Sequence, residues 1–198
     1  MTTLLALKDR LLRFEPTARV LEHWLARQEL GALRPFDFDP VAVPSVLPYV
    51  YLLERLGDRL RYRVSGEEVN RLFGSNHTGL HLDEVVPAEV YPIVAPYFLR
   101  VFDPAVCIFK GRVVLPDRDY LEFERVLMPV RHNGRLHLLG CLALSGGSRL
   151  RRDGVVVEEI GPGFDFTVFD LATGGVEHDR VEAVPVLPRT GVSRRQSG

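Results

Sequence analysis

Cysteine is scarce in this chain, two in 198 residues, and that excludes a disulfide-stapled scaffold. Charge of one sign is equally lacking. The 25 Lys+Arg balance 26 Asp+Glu, for a formal charge of −1, so nothing steers the protein towards nucleic acid or an anionic membrane. No long hydrophobic run occurs either. The uncharged stretch 41–53 is interrupted by Pro44, Ser45 and Pro48 and falls short of the roughly 20 residues that span a bilayer. Leu4, Leu5, Ala6 and Leu7 precede Lys8 and Arg10, the reverse of a secretory signal, and the expected location is the cytoplasm. What is present is ordinary: 46% hydrophobic and 26% charged residues, as in an average globular domain. The length suits one domain with appendages, burying about two thirds of its unfolded surface.

Helical periodicity opens the chain. Leu4, Leu7, Leu11 and Phe14 form one stripe, which Pro16 is expected to stop. A second helix is expected over residues 17–31, with Thr17 as cap and Val20, Leu21, Trp24 and Leu25 on its apolar face. Residues 34–48 hold four prolines and read as an extended connector. A hairpin follows, with strands over 49–56 and 59–64 around Gly57-Asp58. Ser65 and Glu68 have the spacing of a capping box opening a short helix to Phe73, which Gly74 ends. Pro87 suits the first turn of a longer helix whose stripe is Val90, Val94, Tyr97 and Val101, kinked by Pro92 and Pro96.

Three strands are expected over 105–115, 120–131 and 135–144. Asn133-Gly134 between the last two favours a type I′ turn, which sets the register: His132 opposite Arg135, Pro129 opposite Leu138, Arg125 opposite Leu142, Phe123 opposite Leu144. One face then carries Leu121, Phe123, Leu127, Leu136, Leu138, Leu142 and Leu144, and the other Val126, Met128, Val130, Leu139 and Cys141. A sheet apolar on both faces must be covered on both. The order of elements describes an α+β domain with one five-stranded antiparallel sheet. The first strand is placed centrally, the second and third at the edges. Beyond Ser145, residues 164–171 read as one further strand, and order is expected to decrease from Gly174 into a flexible tail. The resulting division is 1–48 for helices and connector, 49–145 for the core, and 146–198 for the extension.

The run Arg61-Tyr62-Arg63-Val64-Ser65-Gly66, then Arg71-Leu72-Phe73-Gly74, Thr78-Gly79 and Leu82-Asp83-Glu84 resembles the strand–helix–loop core of a bacterial family of small, single PAS-domain proteins. Trp24 and Arg27, the connector Pro35 to Asp39, and Leu127-Met128-Pro129-Val130 extend the likeness over residues 18 to 145. His81 departs from the family's usual polar or Arg residue, and the C-terminal extension lies outside the likeness. The resemblance implies a PAS-like sheet with a helical crossover on one face and the N-terminal helices on the other. It also implies a sensing or signalling role, without supplying a ligand.

Candidate sites follow from the two faces. A pocket between sheet and crossover would be lined by Tyr62, Leu72, Phe73, Val94, Tyr97, Phe98, Phe123, Arg125 and Leu142. Arg125 stands on that apolar face and needs a partner: a bulge turning it outward, an internal ion pair, or an anionic ligand. Val20, Trp24, Val126, Met128 and Leu139 are candidates for an interface with the N-terminal helices or a second copy. Haem is disfavoured because residues 87–102 contain no His, and cysteinyl-flavin because residues 66–86 contain no Cys; the cofactor is otherwise unknown. His77 and His81 read as solvated loop residues rather than metal ligands, since Thr78-Gly79 interrupts any helix between them. Cys107 and Cys141, two strands apart, read as small core residues rather than a disulfide. Glu67 and Glu68 are assigned to capping, and Asp117, Asp119, Glu122 and Glu124 to an exposed turn and strand edge, leaving no acid/base pair. The function expected is a non-enzymatic sensory module that binds a small molecule or a protein partner, the alternative being a ligand-free dimerising scaffold. Expected partners are a second copy and a separate effector protein, with no nucleic acid and no membrane.

Overall fold

Asn133 and Gly134 both adopt positive φ, 50° and 73°, the backbone a type I′ turn demands. The turn locks strand β4 (Tyr120–His132) against β5 (Arg135–Leu144). Every pairing expected from the sequence is found, from His132–Arg135 out to Phe123–Leu144. The computed structural model describes residues 2–28, 35, 37–114, 120–145 and 159–182.

The other strands are β1 (Val50–Leu56), β2 (Arg59–Ser65), β3 (Ala105–Val114), β6 (Glu159–Asp170) and β7 (Val176–Val181). They form one antiparallel sheet in the order β2-β1-β5-β4-β3-β6-β7. The sheet therefore has seven strands, not five. β5, not β1, is central to the first five, and β3 is not an edge because β6 pairs along it. The expected strand at 164–171 is part of β6, and order does not decline at Gly174, since β7 follows it. Residues 183–198, and with them the expected tail, lie outside the described residues.

Two helices, α1 (Thr2–Leu11) and α2 (Glu15–Ala26), cover the outer sheet face. Leu4, Val20, Leu21 and Trp24 pack there on Val106, Ile108, Val126, Met128, Leu139 and Cys141. Pro16 does not stop the first helix; it sits in the first turn of the second, where its missing N–H costs nothing. Thr17 is not the cap either. Phe14 holds that position without a side-chain bond, while the Thr17 hydroxyl donates to the Phe14 carbonyl. The helix also ends earlier than the expected Gly31, at Ala26 with Arg27 as its C-cap.

Trp24 anchors α2, donating from Nε1 to the Pro129 carbonyl at 2.9 Å. That carbonyl is free because the β3–β4 ladder has ended at Cys107–Leu127. The same ending makes the missing N–H of Pro129 harmless within a strand.

The inner face is covered by the crossover: α3 (Glu67–Phe73), α4 (Leu82–Val85) and α5 (Tyr91–Arg100). The Ser65–Glu68 capping box does not form. Gly66 is the N-cap, with no side-chain cap bond, and Ser65 ends β2. α5 starts at Tyr91, because residues 87–90 make a separate turn closed by the Tyr91 N–H to the Pro87 carbonyl at 2.9 Å. Pro92 therefore falls in the first turn, and only Pro96 lies inside the helix.

The β6–β7 hairpin is fastened to α5. Tyr97 stacks on Phe166 with ring centroids 3.8 Å apart, and its hydroxyl donates to Asp179. Arg100 donates to Asp170 at 2.7 Å, and Asp170 also accepts the Thr173 and Ala172 amides. Those amides, Thr173 foremost, together with Arg100, hold the Asp170 carboxyl down at about 2. A carboxyl depressed in the folded state stabilises fully above its ordinary value, and the contribution is lost as pH falls through the lowered one. Wild type and Asp170→Asn should thus differ by a constant denaturant midpoint above about pH 5, the gap closing between about pH 4 and pH 2. A gap unchanged down to pH 2 would show that Asp170 contributes no charge-dependent stability.

Candidate functional site

Alternation along each strand places Phe109 on β3, Phe123 and Arg125 on β4, Leu142 on β5 and Phe164 on β6 on the inner face. Opposite them stand Leu72 and Phe73 of α3, the segment Val86, Pro87 and Val90, and Val94 of α5. Between these groups lies a cavity of about 60 Å³.

Six of the nine residues expected to line a pocket are brought together on this cavity: Leu72, Phe73, Val94, Phe123, Arg125 and Leu142. The other three lie outside the lining. Tyr62 is buried against Tyr51 and His77, Tyr97 is committed to Phe166, and Phe98 lies beneath Arg125. Sequence reasoning missed Val86, Pro87, Val90, Phe109 and Phe164. The Arg125–Leu142 pairing follows from the turn register, whereas Phe109 depends on the β3–β4 register, which no turn signal in the sequence sets. Phe164 was not legible either, since nothing in the chain announces that β6 pairs with β3.

Arg125 settles two of its three alternatives. The ladders on both sides of it run without a bulge, Phe109–Arg125 on one side and Arg125–Leu142 on the other. Its guanidinium carbon stands 5.4 Å from the Phe98 ring centroid and 5.8 Å from that of Tyr51. Among the described residues no carboxylate pairs with it, and its buried Nε has no acceptor. The Tyr51 hydroxyl is likewise buried without a hydrogen bond among the described residues. Burial pushes the phenol of Tyr51 well above its ordinary range and that of Tyr62 up to about 12, the Arg125 charge opposing in both cases.

His77 is not solvated. It is 2% exposed, its ring between those of Tyr62 at 5.5 Å and Phe73 at 5.3 Å. The cause is local pairing: the Gly79 N–H donates to the Tyr62 carbonyl and the Tyr62 N–H to the Leu80 carbonyl. This closes the edge of β2 and folds His77 inward. His81 precedes α4, and its amide donates to Glu84 at 2.8 Å.

Cys107 and Cys141 are free and buried on opposite faces. Burial pushes the Cys107 thiol up to about 12 and raises that of Cys141 also, so both are poor nucleophiles. No group of three or more metal-ligating side chains occurs among the described residues, and no helix there is long and apolar enough to cross a membrane.

Glu124 is not at an exposed edge. It is 2% exposed on the outer face, accepting the Arg13 amide at 2.9 Å, the Phe14 amide at 3.3 Å and the Thr17 hydroxyl. A sheet carboxylate thus caps α2, whose own N-cap residue is apolar. Glu122 is exposed and Glu68 pairs with Arg71; Asp117 and Asp119 lie outside the described residues.

The candidate interface residues Val20, Trp24, Val126, Met128 and Leu139 are all buried within the single chain. Their cover is α1 and α2 of the same molecule, and a second copy would reach them only if those helices lifted away. An open groove of about 770 Å³ is lined by Arg10, Arg13, Lys110, Arg112 and Arg180 together with Glu122, Glu124, Asp165 and Asp179. Its charges are mixed in sign and select no particular ligand.

The strands up to β5 run in the order β2-β1-β5-β4-β3, with the crossover helices over the inner cavity. A family model described as PAS domain matches residues 12–143, which run from the end of α1 to β5. No curated protein matches the chain. Matched over more than half its length in sequence, and carrying that five-strand order within its sheet, the chain belongs to the PAS domain family of sensory and signalling modules.

Proposed function

We propose that this PAS domain works as a non-enzymatic sensor that takes a small molecule into the inner pocket and passes its presence to a protein partner. One observation carries the reading: a cavity between the crossover and the sheet centre, walled by Leu72, Phe73, Val90, Val94, Phe109, Phe123, Leu142 and Phe164, with Arg125 as its charged group. Apolar walls around one polar anchor are what ligand sites are commonly made of.

The fold supplies a route outward. Arg125 on the pocket side is followed back along β4 by Glu124, which holds the start of α2 on the opposite face. Adjustment of β4 by an occupant would be felt at the N-terminal helices, whose packing sets the surface offered to a partner.

The test is a thermal-shift screen of metabolites against wild type and Leu142→Phe, which fills the cavity. A ligand at 100 times its Kd stabilises by about 2.7 kcal/mol, or about 5–10 °C for a domain of this size. Wild type is expected to respond to at least one compound and Leu142→Phe to lose the response. Equal shifts in both proteins, or no shift with any compound, would overturn the reading.

A further inference from the structure

We infer that the pocket's ligand is a small organic monoanion, a short carboxylic acid, whose carboxylate pairs with the Arg125 guanidinium. This deepens the sensor reading above and rests on it.

Arg125 is held in the middle of the sheet, with β3 and β5 bonded to either side of β4, so its stem is fixed where its head meets the cavity. Arg125 is half-buried, with its Nε shut off from water, and desolvating part of a guanidinium without a counter-charge is costly. The faces of Phe98 and Tyr51 compensate only in part. Nε is buried with no acceptor, leaving unused one of the donors that a planar fork presents to a carboxylate.

The rest of the lining favours an anion by what it contains. Leu72, Val94, Phe123 and Leu142 are apolar, and the described lining holds no Asp or Glu that would repel an anion or compete for the guanidinium. A second charge on the ligand would meet hydrocarbon, which selects a monoanion over a dianion. Size narrows the class further. A water needs about 10–15 Å³ of such space, so the 60 Å³ available suits a molecule of about four to six heavy atoms, from acetate to lactate.

The experiment is an NMR titration of the full chain with acetate, propionate and lactate, and with the uncharged acetamide and propionamide, at constant ionic strength. It is repeated on Arg125→Leu and Arg125→Lys, with melting temperatures recorded without ligand. Wild type is expected to bind at least one carboxylate saturably, with the amides at least tenfold weaker. Arg125→Leu should lose at least tenfold in carboxylate affinity and Arg125→Lys an intermediate amount. Arg125→Leu alone should melt no lower than wild type, because it removes an unmatched charge. Carboxylate binding unchanged in Arg125→Leu would overturn the assignment. So would a large drop in its melting temperature together with no carboxylate binding by wild type, which would make Arg125 a structural group. If the amides bind in the pocket and the carboxylates do not, the anion assignment falls and the sensor reading stands. If neither class binds wild type, the anion assignment falls, and the sensor reading is then judged by the wider screen.

Discussion

Glu124→Ala is expected to lose about 3–5 kcal/mol of unfolding free energy in urea denaturation. The carboxylate is buried on the outer face and accepts two backbone amides, of Arg13 and Phe14, and the Thr17 hydroxyl. Hydrogen bonds to a charged group contribute about 1.5–3 kcal/mol each, and a buried donor left unpaired costs about 1–3 kcal/mol. Truncation strands the Arg13 and Phe14 amides, while the Thr17 hydroxyl keeps the Phe14 carbonyl as its acceptor. Glu124→Gln keeps one acceptor oxygen and should lose roughly half as much. Glu122→Ala, two residues away and exposed, should change stability by no more than about 0.5 kcal/mol. A Glu124→Ala loss below about 1 kcal/mol would show that α2 is capped by other means.

Gly140→Ala has the second large effect, about 2–4 kcal/mol, at or above the upper end of ordinary overpacking. The glycine pairs with Tyr51 across β1 and β5. A Cβ there would stand 2.1 Å from the Tyr51 ring, which is itself 1% exposed and has nowhere to retreat. The test is a double-mutant cycle. In a Tyr51→Leu background the cost of Gly140→Ala should fall below about 1 kcal/mol, because the colliding ring is gone. Additive losses would locate the strain in the β5 backbone instead.

Those two side chains show what could and could not be read along the chain. Glu124 was assigned to an exposed edge because its alternation with Glu122 looks like a wet strand face. The residues that bury it, Arg13 to Thr17, are over a hundred positions away, and nothing local marks their arrival. The burial of His77 rests on a nearer contact that the residues do not announce either, the pairing of Gly79 and Leu80 with Tyr62 of β2. Arg125 was placed correctly because only one turn intervenes between it and Leu142. The Asn-Gly turn propagates register strand-wide.

The sequence by itself determined the β4–β5 hairpin, the apolar character of both sheet faces, the helix–strand order that resembles a PAS core, and the charged side chain on the pocket side. All of these follow from short-range geometry: a period of two, a turn that accepts only certain residues, and caps and breakers within a few positions. Tertiary structure alone decided that the sheet extends to seven strands, that Phe164 walls the pocket, that a sheet carboxylate caps α2, and that Arg125 is left without an internal counter-charge. Each of those rests on contacts between segments far apart in the chain, and long-range pairing leaves no periodic mark on the residues that make it.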